Sequence, residues 1–141
     1  MSLMQVLKDA LGDVNVIAED LGFLTDGVRR LLHDSGFPGM KVIQFAFDSR
    51  EESDYLPHNY EKNCVVYTGT HDNDTLCGWY KVLDPEDLKL SQKYMNNANT
   101  PKRQIHWDFI RLALASVADL CIIPLQDYLG LGSEARINTP S

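Results

Sequence analysis

Polar residues with chemical potential follow apolar runs at three places along the chain: Glu19 and Asp20 after residues 14–18, His71 and Asp72 shortly after 64–67, and Gln126 and Asp127 after 120–123. Carboxylates that converge on one rim can have their pKa values driven apart, leaving one protonated acid and one anion. That is the pairing glycoside chemistry requires. Each carboxylate alone has a plainer reading: Asp20 or Asp74 would serve simply to cap a helix or hold a turn. Recurrence behind three separate apolar runs weighs against capping as the whole explanation.

The elements that must position these residues can be traced in order. Met4, Leu7 and Leu11 recur at helical spacing, which predicts a short amphipathic helix over 4–11, stopped by Gly12. Residues 14–18 read as a buried strand. Thr25 is placed to cap a helix with Val28, Leu31 and Leu32 on one face, Gly36 as its left-handed terminator and Pro38 forbidding its resumption. Residues 40–47 read as a second strand, and 49–63, polar and interrupted by Pro57, as a long surface loop. A third strand over 64–67 runs into Thr68-Gly69-Thr70-His71-Asp72. Asp84-Pro85 signals a helix start, with Leu88 on the buried side and a polar run over 96–99 beyond it. Thr100-Pro101 repeats the signal for a helix whose apolar face is Ile105, Phe109, Leu112, Ala113 and Ser116. Residues 120–123 form a fourth strand, ended near Pro124.

Strands alternating with helices predict parallel pairing through right-handed crossovers, hence an α/β fold. In a (β/α)8 TIM barrel the residues just after the strands build the active site. Strand alternation puts Asn15, Ile17 and Glu19 on one face and Thr68, Thr70 and Asp72 on another. If both faces point into a barrel, Glu19 and Asp72 meet at its mouth.

Composition narrows the function classes. The 141 residues carry a formal net charge of −7, with 44% hydrophobic and 23% charged residues, the balance of a soluble globular domain. No stretch reaches the roughly 20 apolar residues of a membrane span. An acidic chain gains nothing from counterion release, so neither nucleic acid nor membrane is the expected partner, whereas a neutral sugar stays open. Cys64, Cys77 and Cys121 cannot all pair with one another, none shows CxxC spacing, and a reducing cytoplasmic setting is expected. No secretory signal is visible, and Met1-Ser2-Leu3 reads as a cloning scar ahead of a helix entered midway.

Five strings then carry a specific resemblance. VIAEDLG (16–22), GFPGMKVIQFAF (36–47), LPHNY (56–60), YTGTHDNDT (67–75) and GLGSEARIN (130–138) resemble, in order, motifs of the amylomaltase, or disproportionating-enzyme, family of 4-α-glucanotransferases. The resemblance implies a retaining transferase that passes α-1,4-glucan segments to another glucan or to glucose, with no metal or organic cofactor. It implies that Glu19 is the general acid/base at the end of the fifth barrel strand, and Asp72 the transition-state-stabilising acid after the seventh. His71 is implied to bind substrate beside Asp72, against the plain reading of a histidine bonded at a strand end. Phe45 aligns with an aromatic near the acceptor subsite, against an ordinary core role. Asn59 is placed to donate to a glucan hydroxyl, against a turn role before Tyr60. Trp79 and Trp107 are expected to pack, and Glu134 with Arg136 to form a structural ion pair at the rim.

One part of the family's pattern is missing. A retaining mechanism needs a nucleophilic carboxylate, which the family provides as an aspartate after the fourth strand. The only early acids, Asp9 and Asp13, fall in a helix and its exit. A complete (β/α)8 barrel takes about 250 residues. Residues 1–141 are therefore expected to be a fragment of a single catalytic barrel domain, roughly strands five to eight with their helices, and inactive alone. The alternative is a non-catalytic glucan-binding or assembly module derived from that fold. Open sheet edges and an apolar interior further predict that copies of the chain associate as homo-oligomers.

Overall fold

The computed structural model describes residues 3–12, 15–22 and 24–140; Asp13 and Val14 and the first two residues of the expected scar lie outside them. The chain runs α1 (Leu3–Leu11), α2 (Asp26–Ser35), β1 (Gly39–Val42), β2 (Cys64–Tyr67), α3 (Leu76–Val82), α4 (Pro85–Met95), α5 (Ile105–Leu114), β3 (Leu120–Ile122) and α6 (Leu125–Tyr128). The three strands form one parallel sheet in the order β1-β2-β3, with Gly39 opposite Cys64 and Val65 opposite Leu120. Parallel pairing follows from connections long enough to cross the sheet, and α3 to α5 make the crossing between β2 and β3. The α/β class expected from the alternation of elements is the one observed.

Local signals worked where a side chain could satisfy a nearby backbone group. Thr25 Oγ1 accepts from Val28 N–H at 3.4 Å, and Gly36 closes α2 at φ 67°. Asp84 caps α4 through Glu86 N–H at 2.9 Å. Thr75 does the same for α3 through Gly78 N–H at 3.1 Å. The core lies where α3 and α5 cover the sheet, around the fully buried Phe109, whose ring meets Trp79 edge-on at 5.3 Å and Phe47 at 5.9 Å. Trp79 is thus the packing residue expected, whereas Trp107 is 39% exposed.

Four expectations are corrected. The segment expected as a strand over 14–18 makes no ladder in its described part. Residues 15–20 run extended beside β1, with Asn15, Ile17 and Glu19 exposed and the alternate residues half-buried. Ala18 N–H donates to Pro38 O at 2.9 Å, but Pro38 has no N–H to return a bond, and Asp20 Oδ1 takes Met40 N–H at 2.6 Å in place of a backbone carbonyl. Gly39 allows this approach, since a Cβ there would lie 2.6 Å from Asp20 Oδ2.

The second strand stops at Val42, and Ile43–Phe45 form a 3-10 turn. Buried Gln44 leaves the sheet to donate to Asp74 O at 2.7 Å, an exit that an apolar run cannot announce. The loop over 49–63 is only partly a surface loop, because Ser53, Pro57 and Tyr60 are buried. Thr100 does not cap α5: a 3-10 turn over Lys102–Gln104 intervenes, and the helix ends at Leu114, short of Ser116.

The apolar faces of α1 and α2 are open, with Val6, Leu7, Leu11, Val28 and Leu31 exposed, and β3 is an edge strand with Leu120 and Ile122 exposed. Among the described residues no helix is long and apolar enough to cross a membrane.

Candidate active site

The carboxyl ends of the strands open onto a cleft of about 650 Å³ whose lining includes Glu19, Phe45, His71 and Asp72. They arrive on three different supports. Glu19 ends the extended segment beside β1, Phe45 closes the 3-10 turn after β1, and His71 and Asp72 sit on the loop that leaves β2 for α3. Gly69 lets that loop start close to the sheet, because a Cβ there would fall 2.6 Å from Gln44 Nε2.

The loop's conformation is fixed by its own short polar side chains and by the far end of the chain. Asn73 Oδ1 accepts from Thr70 N–H at 2.8 Å and from Thr70 Oγ1 at 2.9 Å, folding the loop back before Asp72. Asn138 Nδ2 donates to Asp72 Oδ1 at 2.8 Å and to His71 O at 3.2 Å. Arg136 donates to Asp72 O at 3.2 Å, and His71 Nε2 stands 3.4 Å from Asp72 Oδ1. Asp72 Oδ2 has no partner among the described residues and is free to accept a ligand hydroxyl. Glu19 is exposed and likewise makes no hydrogen bond among the described residues.

Four of the five expected site residues therefore share one cleft. Phe45 is 39% exposed, with Tyr55 packed edge-on at 5.4 Å, so it is not a core side chain. Asn59 is the exception: it lies outside the cleft, at the end of the Pro57–Asn59 turn, with its amide donating to Ser53 O at 3.1 Å. Asp74 ties the loop to the turn over Ser133–Ala135 by accepting from Ser133 Oγ at 2.7 Å, and Gln126 donates to Ala135 O at 3.3 Å.

Glu134 and Arg136 do not pair. Glu134 accepts from Gly132 N–H, while Arg136 serves the backbone of Asp72 and Asn138. Arg136, expected only as half of that rim pair, and Asn138, not singled out, are the residues that hold the loop of His71 and Asp72. Their place in the last quoted motif was the available signal. Among the described residues no cluster of three His, Cys, Asp or Glu side chains is arranged to hold a metal.

The parallel sheet, the segment beside it and the loops that leave it bring two carboxylates, a histidine and an aromatic ring to one cleft at the carboxyl ends of the strands, an α/β arrangement with a candidate site there. The 4-alpha-glucanotransferase family model matches residues 1–141, and the chain belongs to that family. It is 49% identical over 142 residues to a 4-alpha-glucanotransferase of Clostridium butyricum, a match covering 100% of this chain and 29% of the relative. It is 47% identical over 140 residues to a chloroplastic/amyloplastic 4-alpha-glucanotransferase of Arabidopsis thaliana, covering 99% of this chain and 24% of that one. The structure is similar to the amylomaltase of Streptococcus agalactiae in complex with acarbose, with a TM-score of 0.88 and 38% identity, covering 98% of this chain and 28% of that one. The chain thus spans between 24% and 29% of the length of these relatives.

Proposed function

We propose that the chain is part of the catalytic (β/α)8 barrel of a retaining 4-α-glucanotransferase, contributing the extended segment at 15–20 and β1, β2 and β3 as strands five to eight. The observation that carries this reading is the gathering of Glu19, Phe45, His71 and Asp72 in one cleft at the strand ends. The partners are α-1,4-glucans and glucose, and the acarbose held by the Streptococcus agalactiae relative supports a glucan-shaped cleft. Three free thiols suit a reducing compartment such as the cytoplasm.

The reaction divides between two groups. Protonated Glu19 delivers its proton to the glycosidic oxygen as the bond from that oxygen to C1 breaks and an aspartate carboxylate bonds to C1. The resulting Glu19 carboxylate then takes the proton of the acceptor hydroxyl, whose oxygen bonds to C1 as the glycosyl ester breaks. Anionic Asp72 accepts hydroxyls of the distorted sugar through its open Oδ2 and binds more tightly as the ring gains oxocarbenium character. His71 donates to the same sugar, and Phe45 offers an apolar ring to the acceptor.

Among the described residues none is left for the nucleophilic aspartate: Asp9 lies in helix α1, and both acids lining the cleft already have a role. The 141-residue chain incubated with maltotriose is therefore expected to release no glucose and no longer maltodextrins above background. Sustained turnover would overturn the assignment of the nucleophile to another segment.

The exposed β3 edge and the open apolar faces of α1 and α2 also support self-association. Light scattering at micromolar concentration is expected to give a mass at least twice the 16.0 kDa of one chain. A stable monomer there would contradict it.

A further inference from the structure

The proposed chemistry leaves one buried acid unused. Asp127, in α6 directly after β3, is 1% exposed. Its Oδ2 accepts from Thr68 Oγ1 at 2.6 Å and its Oδ1 from Leu76 N–H at 2.8 Å. Thr68 is the first residue after β2 and Leu76 the first of α3, both fully buried. The segment between them is the loop that carries His71 and Asp72. A single carboxylate therefore bridges the two roots of that loop.

We propose that Asp127 is a positioning residue for the transfer reaction, holding both ends of the loop over 68–75 so that Asp72 and His71 face the cleft. The proposal rests on the reading of that cleft as the glucan site. Burying a carboxylate is costly, and an apolar side chain could fill the same space without that cost. What an apolar side chain could not do is accept two hydrogen bonds from strand end and helix start at once. The Leu76 N–H is moreover an otherwise orphaned donor of α3, because Thr75 spends its hydroxyl oxygen on Gly78 N–H. Burial pushes the Asp127 carboxyl up, while its two hydrogen bonds and the nearby His106 oppose that shift. Arg136 and Asn138 hold the same loop near its tip. Root and tip are thus gripped from one stretch of chain, 125–138.

The test uses hydrogen exchange and acarbose binding on the full chain. Asp127→Ala leaves two buried donors unpaired, so exchange at amides 70–75 is expected to rise about tenfold or more, with amides of β2 and α5 unchanged. Acarbose affinity is expected to fall by a similar factor. Asp127→Asn, which keeps an acceptor for Leu76 and can donate to Thr68 Oγ1, is expected to restore both. Thr68→Val removes one bond at constant size, should give a smaller rise, and decides the matter if Asp127→Ala does not fold. Loop exchange unchanged in a folded variant, or loop and core accelerating equally, would overturn the proposal. If these residues, set in place of the matching segment of the Clostridium butyricum enzyme, bind no acarbose while the exchange pattern appears, the positioning role stands and the glucan reading of the cleft fails.

Discussion

Glu19→Gln is expected to lower kcat for maltotriose transfer by about 10²–10⁴-fold, the usual contribution of a positioned acid/base. The protein to use is a chimera in which these 141 residues replace the matching segment of the Clostridium butyricum enzyme, so that a nucleophile is present. Glu19 is exposed and unbonded in the cleft. An isosteric amide there disturbs no contact and should shift stability by less than about 0.5 kcal/mol. In the proposed role of Glu19, what disappears is the proton for the leaving oxygen and the base for the acceptor. A donor whose leaving group needs no proton separates the two losses. With maltosyl fluoride, fluoride release in the first turnover should return to near the unmodified rate, while transfer to an acceptor stays slow.

Asp72→Asn is expected to lower kcat/KM by about 10²–10³-fold, with maltotriose and with maltosyl fluoride alike. In the proposed role of Asp72, the positive charge to be stabilised develops on the sugar whichever group leaves, so an activated donor offers no escape. The substitution isolates the charge because the contacts that shape the loop survive it. Asn138 can still donate to a side-chain carbonyl, Arg136 bonds the main-chain oxygen of residue 72, and Thr70 Oγ1 accepts from its N–H. Rescue of both variants by the fluoride donor would show that Asp72 has been given the wrong role.

What could be read from the residues alone was whatever a side chain decides within a few positions of itself. The Thr25 and Gly36 ends of α2 and the run of β2 into the His71-Asp72 loop are of this kind. The strand expected over 14–18 failed because its pairing depends on Pro38 and on an Asp20 carboxylate that reaches a backbone amide some twenty residues away. Gln44 turned the second strand aside for a carbonyl thirty positions on, with the same lesson. In the candidate site, the meeting of Glu19, His71 and Asp72 at one cleft was legible because they follow apolar runs within recognisable strings. The contacts of Asn138 and Arg136 were not, although both stand in a recognisable string, since their work is to bond a loop more than sixty residues earlier. Asn59 shows the converse: a polar residue in a telling string whose amide is used to hold its own turn.

The most direct test of the account is maltotriose disproportionation by the unmodified chimera beside its Glu19→Gln and Asp72→Asn forms, with products resolved by chain length. The prediction is glucose and maltopentaose from the unmodified protein and at most about one-hundredth of that rate from either variant. A folded chimera that transfers nothing, or variants that transfer as fast as the unmodified protein, would contradict the placing of the acid/base and the transition-state anion on this chain.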